Sequence, residues 1–411
     1  MPLIVQKYGG TSVASPERIR KVAERLLETQ RAGAGVVAVI SAMAGVTDNL
    51  IKLARETSPE PTERELDVLL ATCEHAAIAL TAMAVNALGG KAISLTGAEA
   101  GVLTDRIHTH AKIANINPKL IEELLSEGYI VIVAGFQGQT SEGEITTLGR
   151  GGSDLTAIAL AGALSADACQ IYTDVDGVFT CDPRIVADAH KLDEVAYDEL
   201  LELAGAGAKV MQSRAVEFAK KFGVAFEVRS SFNRAAGTLA IQATPHMEDV
   251  VIRGVSVERN QAKVTIAGVP DIPGIASRIF MTVGAANILV DMIVQNATLE
   301  QGTTDISFTI HAPDLAEAER LLRPVAAEVG AGRVTVRSGL AKLSVVGIGM
   351  RSHSGVAARM FDCLGCGGIN IQLISTSEIK IAVIVDEPEV ERAAQLTHEA
   401  FGLSRFFPRK T

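Results

Sequence analysis

Thr147-Leu148-Gly149-Arg150-Gly151-Gly152-Ser153-Asp154 joins two apolar runs, and its reading decides the fold. Residues 129–135, Tyr-Ile-Val-Ile-Val-Ala-Gly, read as a buried strand. Residues 155–161, Leu-Thr-Ala-Ile-Ala-Leu-Ala, read as the opening turns of a buried helix. Glycines let the backbone approach a ligand closely, and a helix N-terminus offers unpaired N–H groups to an anion. Arg150 can fork onto a carboxylate and Asp154 can accept from an ammonium group. The combination suits a small zwitterion or a phosphate; taken alone, a plain loop with a Ser-Asp helix cap also fits the stretch.

Working toward the N-terminus, strand-like runs alternate with amphipathic helices. Leu3-Ile4-Val5-Gln6-Lys7-Tyr8 ends at Gly9-Gly10-Thr11-Ser12. Ser15-Pro16-Glu17 then gives an N-cap, a proline at the first helical position and an acid in the first turn. Ile19, Val22, Ala23, Leu26 and Leu27 share one helix face, and Val36 to Ile40 form a second buried strand ending at Ser41-Ala42-Met43. This is a βαβ unit with polar turns at the carboxyl ends of its strands, where open α/β sheets bind ligands. Residues 63–88 are helical in composition and carry Glu74-His75; residues 91–95 are a third strand. His108 and His110 flank a threonine without a further metal-ligand candidate nearby, so they read as a polar loop.

Beyond the glycine loop, residues 168–173 form a strand running into Asp174-Val175-Asp176-Gly177-Val178-Phe179-Thr180-Cys181-Asp182-Pro183-Arg184. Three aspartates and an arginine around Gly177 suit a place where Mg²⁺ and phosphates meet a protein; a hairpin with ordinary turn acids is the other reading. After residue 245 the pattern changes to closer strands and a repeat. Pro273-Gly274-Ile275-Ala276-Ser277-Arg278 resembles Ser354-Gly355-Val356-Ala357-Ala358-Arg359, and Asn287-Ile288 recurs as Asn370-Ile371. Two copies of a βαββαβ unit explain this spacing.

Composition narrows the function classes. The 411 residues hold 48% hydrophobic residues but no tryptophan, which favours helix-covered parallel sheets over aromatic-rich folds. A net charge of −10 without a basic block argues against nucleic acid as a partner. The polar N-terminus and the absence of a long uncharged apolar run point to a cytoplasmic chain with no membrane partner. Five cysteines make no disulfide framework, and Cys363-Leu364-Gly365-Cys366 lacks a second pair or a flanking histidine, so buried or half-buried thiols are expected there.

Together, Lys7-Tyr8-Gly9-Gly10-Thr11-Ser12, Ser41-Ala42-Met43 with Gly45-Val46-Thr47-Asp48, Gly149 to Asp154, and Asp174 to Val178 resemble the aspartate kinase branch of the amino acid kinase family. The repeat resembles the paired ACT domains of the same enzymes. The resemblance covers essentially the whole chain, and the glycine loop matches neither a Walker A nor a G-x-G-x-x-G pattern.

The resemblance implies an α/β fold: a three-layer sandwich with a mainly parallel sheet over residues 1–245. Residues 246–262 follow as linker and first regulatory strand, then two ferredoxin-like βαββαβ ACT domains over 263–341 and 342–411. It implies transfer of the ATP γ-phosphoryl group to L-aspartate, with Mg²⁺ arriving bound to ATP and no separate metal site. Lys7, Gly9, Gly10 and Asp154 take the catalytic positions. Thr47, Glu74, Arg150, Ser153 and Asp154 match aspartate-binding positions, with Arg150 on the α-carboxylate and Glu74 or Asp154 on the ammonium.

Nucleotide positions fall on Lys7, Tyr8, Gly9, Gly10, Ser41, Thr173 and Asp174, and further on at Phe179, Thr180, Asp182, Pro183, Arg184 and Lys209. Effector positions for lysine and threonine fall on Asp271, Gly274, Ile275, Ala276, Gln295, Asn296, Asn370 and Ile371. The family also implies a homo-oligomer, or an α2β2 assembly if Met247 starts a separate regulatory chain. Another small acid as acceptor, or an inactive amino-acid sensor, are the alternative readings. The regulatory tail and the Lys-Tyr-Gly-Gly-Thr-Ser run speak against the first, and the retained Lys7, Glu74, Arg150, Asp154 and Asp182 against the second.

Overall fold

The computed structural model describes residues 1–203, 211–297 and 302–404. They form two units: residues 1–178, 191–203 and 211–244 make one, and the described residues of 179–190 and 245–404 make the other.

The first unit opens with β1 (Leu3–Tyr8), α1 (Pro16–Arg31), β2 (Gly35–Ile40), α2 (Val46–Thr57) and α3 (Glu63–Ala87). It continues through β3 (Ala92–Leu95), β4 (Val102–Thr104), β5 (Ile113–Ile116), α4 (Lys119–Ser126), β6 (Ile130–Ala134), β7 (Gln137–Gln139) and β8 (Ile145–Thr147). Then come α5 (Gly152–Ala163), β9 (Ala168–Thr173), β10 (Glu194–Ala196), α6 (Tyr197–Leu203), α7 (Ser213–Phe222), β11 (Phe226–Ser230) and β12 (Thr238–Ile241). Eight strands form one sheet in the order β10-β12-β11-β9-β1-β2-β6-β3. Every neighbouring pair is parallel except β11 with β12. A small second sheet runs β5-β4-β7-β8.

Local chemistry sets these elements. Ser15 caps α1 by accepting from Arg18 N, and Pro16 supplies the fixed φ of a first helical residue. Gly33 ends the helix at φ +93°, a conformation that carries little cost only for glycine. The central strands are buried on both faces, so β2 and β6 read as unbroken apolar runs. One face packs on α1 and α3 through Leu26, Leu27, Ala77 and Val85; the other is covered by α5. This is the expected three-layer sandwich. Helix α3 is long and apolar enough by composition to span a membrane, yet it buries Asp67 and Glu74.

The second unit contains β13 (Gly254–Pro270), α8 (Ile275–Ala285), β14 (Val290–Ala297), β15 (Thr303–His311) and α9 (Leu315–Glu328). It ends with β16 (Arg333–Val346), α10 (Val356–Cys366), β17 (Leu373–Thr376), β18 (Lys380–Asp386) and α11 (Val390–Ala400). Six strands run in the order β14-β15-β13-β16-β18-β17. Helices α8 and α9 cover the first repeat, and α10 and α11 the second. Each repeat has the ferredoxin-like strand order, but the boundary between them falls inside two continuous strands. The register of β13 shifts between Glu258 and Lys263, where Asn260 takes φ +58°. Beyond the shift, Lys263–Ala267 pair with Arg333–Arg337 in the first repeat; before it, Gly254–Glu258 pair with Lys342–Val346 in the second. The second repeat thus takes its fourth and last strand from upstream of the first.

Lys342, in the middle of β16, is buried 2.7 Å from Glu258 Oε2 and 2.5 Å from Asp291 Oδ2. Burial works to lower its pKa, but the two carboxylates outweigh it and leave the ammonium above its ordinary value. The edge strands β14 and β17 meet, with Met292 and Val294 packing beside Leu373. Residues 179–190 also belong to this unit, although the sequence reading placed them within 1–245. Cys181 and Val186 are buried in the core of the second repeat, and Thr180 Oγ1 lies 2.9 Å from His398 Nε2. All five cysteines are free; Cys363 is half-buried and Cys366 exposed on α10.

Candidate active site

The carboxyl ends of β9, β1, β2 and β6 lie side by side, and each leads into a turn of small residues. Strand alternation puts Gln6 and Tyr8 on the α1 face and Lys7 on the α5 face. Lys7 Nζ lies 2.6 Å from Asp154 Oδ1 in the first turn of α5, with side chains 11% and 12% exposed. An acid in that turn is favoured by the positive end of the helix dipole. Gly9 N donates to Tyr172 O, and Ala44 N donates to Gly10 O. A Cβ on Gly10 would lie 2.7 Å from the Ala42 carbonyl oxygen, so the two turns close on each other only because position 10 has no side chain.

The glycine loop is fixed from below. Gly149 and Gly151 hold φ +76° and +70°, and α5 begins at Gly152. Arg214 Nη1 donates to Leu148 O (2.7 Å) and Nη2 to Ala111 O (3.0 Å). Asp67, 0% exposed, accepts from Thr147 Oγ1 (2.5 Å) and from Thr109 N, and pairs with His108 Nδ1 (2.8 Å). His108 is therefore tied to a buried carboxylate, and among the described residues no group of three or more potential ligands forms a metal cluster. Ser153 packs against Gly135, whose added Cβ would lie 2.6 Å from the Ser153 side chain.

Glu74 approaches the same turns from α3. It is 3% exposed; its Oε1 accepts from Ala42 N (3.2 Å), while Oε2 has no partner among the described residues. Burial pushes its pKa up to about 8, against a smaller lowering by the Ala42 N–H. Thr47, at the start of α2, lies close to the thiol of Cys73, the residue before Glu74. Arg150 is exposed at the rim and makes no ion pair among the described residues. An unpartnered guanidinium, a half-satisfied buried carboxyl and a paired ammonium suit a small molecule carrying both a carboxylate and an amine.

The structure thus brings together Lys7, Gly9, Gly10, Ser41, Glu74, Ser153 and Asp154, with Thr47 beside Glu74 and Arg150 at the edge. Ser41 N donates to Tyr8 O, whereas the Tyr8 ring lies on the opposite face of the sheet, stacked on Tyr172. Thr173 and Asp174 end β9, and Thr173 Oγ1 donates to Asp174 Oδ1 (3.1 Å).

Two of the aspartates around Gly177 have partners of their own. Asp176 accepts from Asn233 Nδ2, and Asp182 is held by Arg184 through three side-chain bonds, the shortest 2.7 Å. Thr238 and Lys191 occupy the space against Gly177 instead. Phe179, Thr180, Asp182, Pro183 and Arg184 belong to the second unit; Lys209 lies outside the described residues. Among the effector positions, Gly274 (φ +95°) caps α8 and leads into Ile275 and Ala276, with exposed Asp271 upstream. Gln295 and Asn296 are exposed near the end of β14, and Asn370 and Ile371 precede β17, the strand β14 meets. Asp67 and Arg214 escape a sequence reading, since neither sits in a recognisable motif.

Residues 2–230 match the model of the amino acid kinase family, and residues 264–324 and 343–401 match an ACT domain. The aspartokinase of Mycolicibacterium smegmatis is 49% identical over 408 residues, spanning 98% of this chain and 97% of that protein. The aspartate kinase of Pseudomonas fluorescens (strain SBW25) is 51% identical over 406 residues, spanning 98% of each. Among solved structures, E. coli aspartokinase III in complex with aspartate and ADP aligns with TM-score 0.78 at 26% identity, over 97% of this chain and 99% of that one. The same enzyme in complex with lysine and aspartate aligns with TM-score 0.80 at 26% identity and the same coverage. The chain belongs to the amino acid kinase family, in its aspartate kinase branch with ACT domains.

The Glu74 shift has a signed consequence. Between about pH 4.5 and about 8 the folded chain holds a proton on Glu74 that the unfolded chain has released, so this group's contribution falls as pH rises through that window. Glu74→Gln removes the penalty. The ligand-free variant is expected to match the wild type near pH 5 and to exceed it in urea-unfolding stability at pH 8 by roughly 1–3 kcal/mol. A difference that does not change with pH would show that Glu74 is solvated.

Proposed function

We propose that the chain transfers the γ-phosphoryl group of MgATP to the side-chain carboxylate of L-aspartate, giving 4-phospho-L-aspartate and ADP. This is the first step toward lysine, threonine and methionine. The observation that carries the reading is the buried Lys7–Asp154 pair, set between the end of β1 and the first turn of α5 beside two glycine turns. The relatives' common identity as aspartate kinases, and the aspartate and ADP held by E. coli aspartokinase III, support the choice of substrates.

The nucleophile is a carboxylate, ionised at pH 7, so the site needs no general base. One carboxylate oxygen bonds to the γ-phosphorus while the bond from that phosphorus to the β–γ bridging oxygen breaks, and the electron pair leaves on ADP. The chain's task is to align two anions and neutralise charge on the transferred group. Lys7 supplies a fixed cation, and the Gly9 and Gly10 turn lets the phosphates come close. Arg150 takes the α-carboxylate. The substrate ammonium lies by Glu74, which gives up its proton as the cation arrives, with Asp154, Ser153 and Thr47 completing the contacts. Mg²⁺ comes with the nucleotide. Most of its ligands would be phosphate and water, and Asp174, just past β9, would offer a carboxylate; its charge would offset that of the phosphates.

Lysine and threonine bound at the repeats lower this activity. Gly274 leaves the first N–H groups of α8 open to a carboxylate, and the lysine bound to E. coli aspartokinase III supports an amino-acid effector. The repeats also join chains into an oligomer, for which the exposed Leu289 and Ile293 on and beside edge strand β14 give apolar surface.

A coupled assay of ADP release with a panel of amino acids tests the reaction, with aspartate the expected acceptor. Lys7→Met should lower turnover by orders of magnitude in a chain that still folds, with a lower melting temperature because Asp154 loses its partner; unchanged turnover at saturating substrates would remove Lys7 from the mechanism. Arg150→Ala should raise the aspartate KM roughly ten- to a hundred-fold, the value of one charge-assisted contact, and leave ATP nearly untouched. Equal weakening of both substrates would instead mean that the loop has collapsed. Gln295→Ala should relieve inhibition by lysine or threonine without altering uninhibited turnover, in a protein whose light-scattering mass exceeds the monomer's. If neither amino acid binds at millimolar concentration, alone or together, the regulatory reading fails.

A further inference from the structure

On its α1 face the large sheet is apolar along β2 and β6, where Val36, Ala38, Ile40, Ile130, Ile132 and Ala134 pack. Along β1 and β9 that face is polar, and the register sets Gln6 beside Gln170 and Tyr8 beside Tyr172. The two rings stack with centroids 4.8 Å apart and planes 3° from parallel. Gln6 is 1% exposed. Central parallel strands rarely bury amides, since each amide group costs free energy unless it is bonded.

The hydrogen-bond accounting is one-sided. Gln6 Oε1 accepts from Tyr8 OH (3.1 Å), and Gln6 Nε2 donates to Thr29 Oγ1 (3.1 Å) and Gln170 Oε1 (2.9 Å). Gln170 Oε1 also accepts from Tyr172 OH (3.1 Å). Both amide oxygens are engaged, while the Gln170 amide NH₂ group has no acceptor among the described residues. Gln170 lines a cavity of about 260 Å³ that is also lined by Arg25, Arg229 and Arg234.

Arg25 sits 4.7 Å over the Tyr172 ring and donates to Ser230 O and Asn233 O. Arg229 lies 3.5 Å from Glu227, and Arg234 pairs with Glu28, which also lines the cavity. Three guanidinium groups thus face two carboxylates, in a chain whose net charge is −10. Guanidinium and amide NH₂ groups only donate.

The geometry points to a binding site for a phosphate-sized oxyanion in this cavity, on the face of β1 and β9 opposite Lys7. Its volume lies just below the ~300–1,000 Å³ usual for pockets that hold drug-sized ligands, so it fits a small ion or the anionic end of a short metabolite. The end of β11, which bears Arg229, and the loop after it, which bears Arg234, are tied to the candidate active site. Ser231 Oγ accepts from Ser12 Oγ (2.9 Å) and donates to Thr173 O (3.0 Å). An occupant therefore bears on the ends of the strands that carry Lys7 and Asp174.

The test is calorimetric titration of the whole chain with inorganic phosphate. Wild type should bind at millimolar concentration or better. Gln170→Glu replaces the free donors by an acceptor in the same shape, and Arg234→Gln removes one charge from a side chain 65% exposed, where the fold does not depend on it. Each should weaken phosphate at least about ten-fold, as expected for one charge-assisted bond, whereas Lys7→Met should leave it unchanged. No binding to wild type up to ~10 mM overturns the site, because the affinity would then be below any useful level. Binding lost in Lys7→Met but kept in both other variants also overturns it, since phosphate would then sit in the candidate active site. So does equal binding to all four proteins. A parallel titration with glycerol phosphate identifies the source. Comparable affinity supports a phosphorylated metabolite, and binding of inorganic phosphate alone supports the free ion.

Discussion

One ion pair sets what the rest of the first unit must do. Lys7 and Asp154 face each other at 2.6 Å where a parallel sheet meets the N-terminus of its covering helix. Removing two charges from water costs several kcal/mol each, and a buried pair seldom returns more stability than well-packed apolar groups. What the pair does secure is a cation held in one place before a substrate arrives. The surroundings follow from that demand. Gly9 and Gly10 leave the ammonium open on one side, Gly135 lets Ser153 approach, and Gly149 and Gly151 bend the chain into α5. Asp67 and Arg214, which touch no ligand position themselves, hold that bend from beneath.

The layering was legible because it rests on local signals. Strands buried on both faces leave unbroken apolar runs, Ser15-Pro16 announces a helix, and the glycine loop lies between a strand and a helix as its composition suggests. The positions of Lys7 and Asp154 were named from resemblance, yet their direct pairing requires the register of β1 against α5, which no short window contains. Glu74 was likewise named from resemblance, in a stretch whose composition reads only as helical. Only the docking of α3 over the strand ends makes it a carboxyl that stays protonated near neutral pH. The same limit explains Phe179–His190. Its acids suggest one phosphate-facing turn around Gly177, but Cys181 and Val186 are drawn into the core of the second repeat, and Asp176 and Asp182 separate to different partners.

The repeat was legible as two copies, but the upstream origin of the second copy's last strand was not. A periodic match of Gly274 with Gly355 and of Asn287 with Asn370 reports what each copy contains. It is silent about which copy owns Gly254–Glu258, because a strand's partner is decided by register and by the turn at Asn260 rather than by its own composition.

That origin makes the first repeat an insertion within the second. As the chain leaves the ribosome, Gly254–Glu258 emerges early and has no partner until Lys342–Val346 appears on the far side of a whole domain. The inner repeat can close by itself, and by doing so it shortens the loop the outer repeat must close, lowering the entropy cost of joining its ends. Assembly is therefore ordered from the inside outward. A protease cut between the copies would leave two fragments still clasped to each other, since the upstream one retains the Gly254–Glu258 strand that the second repeat's sheet requires.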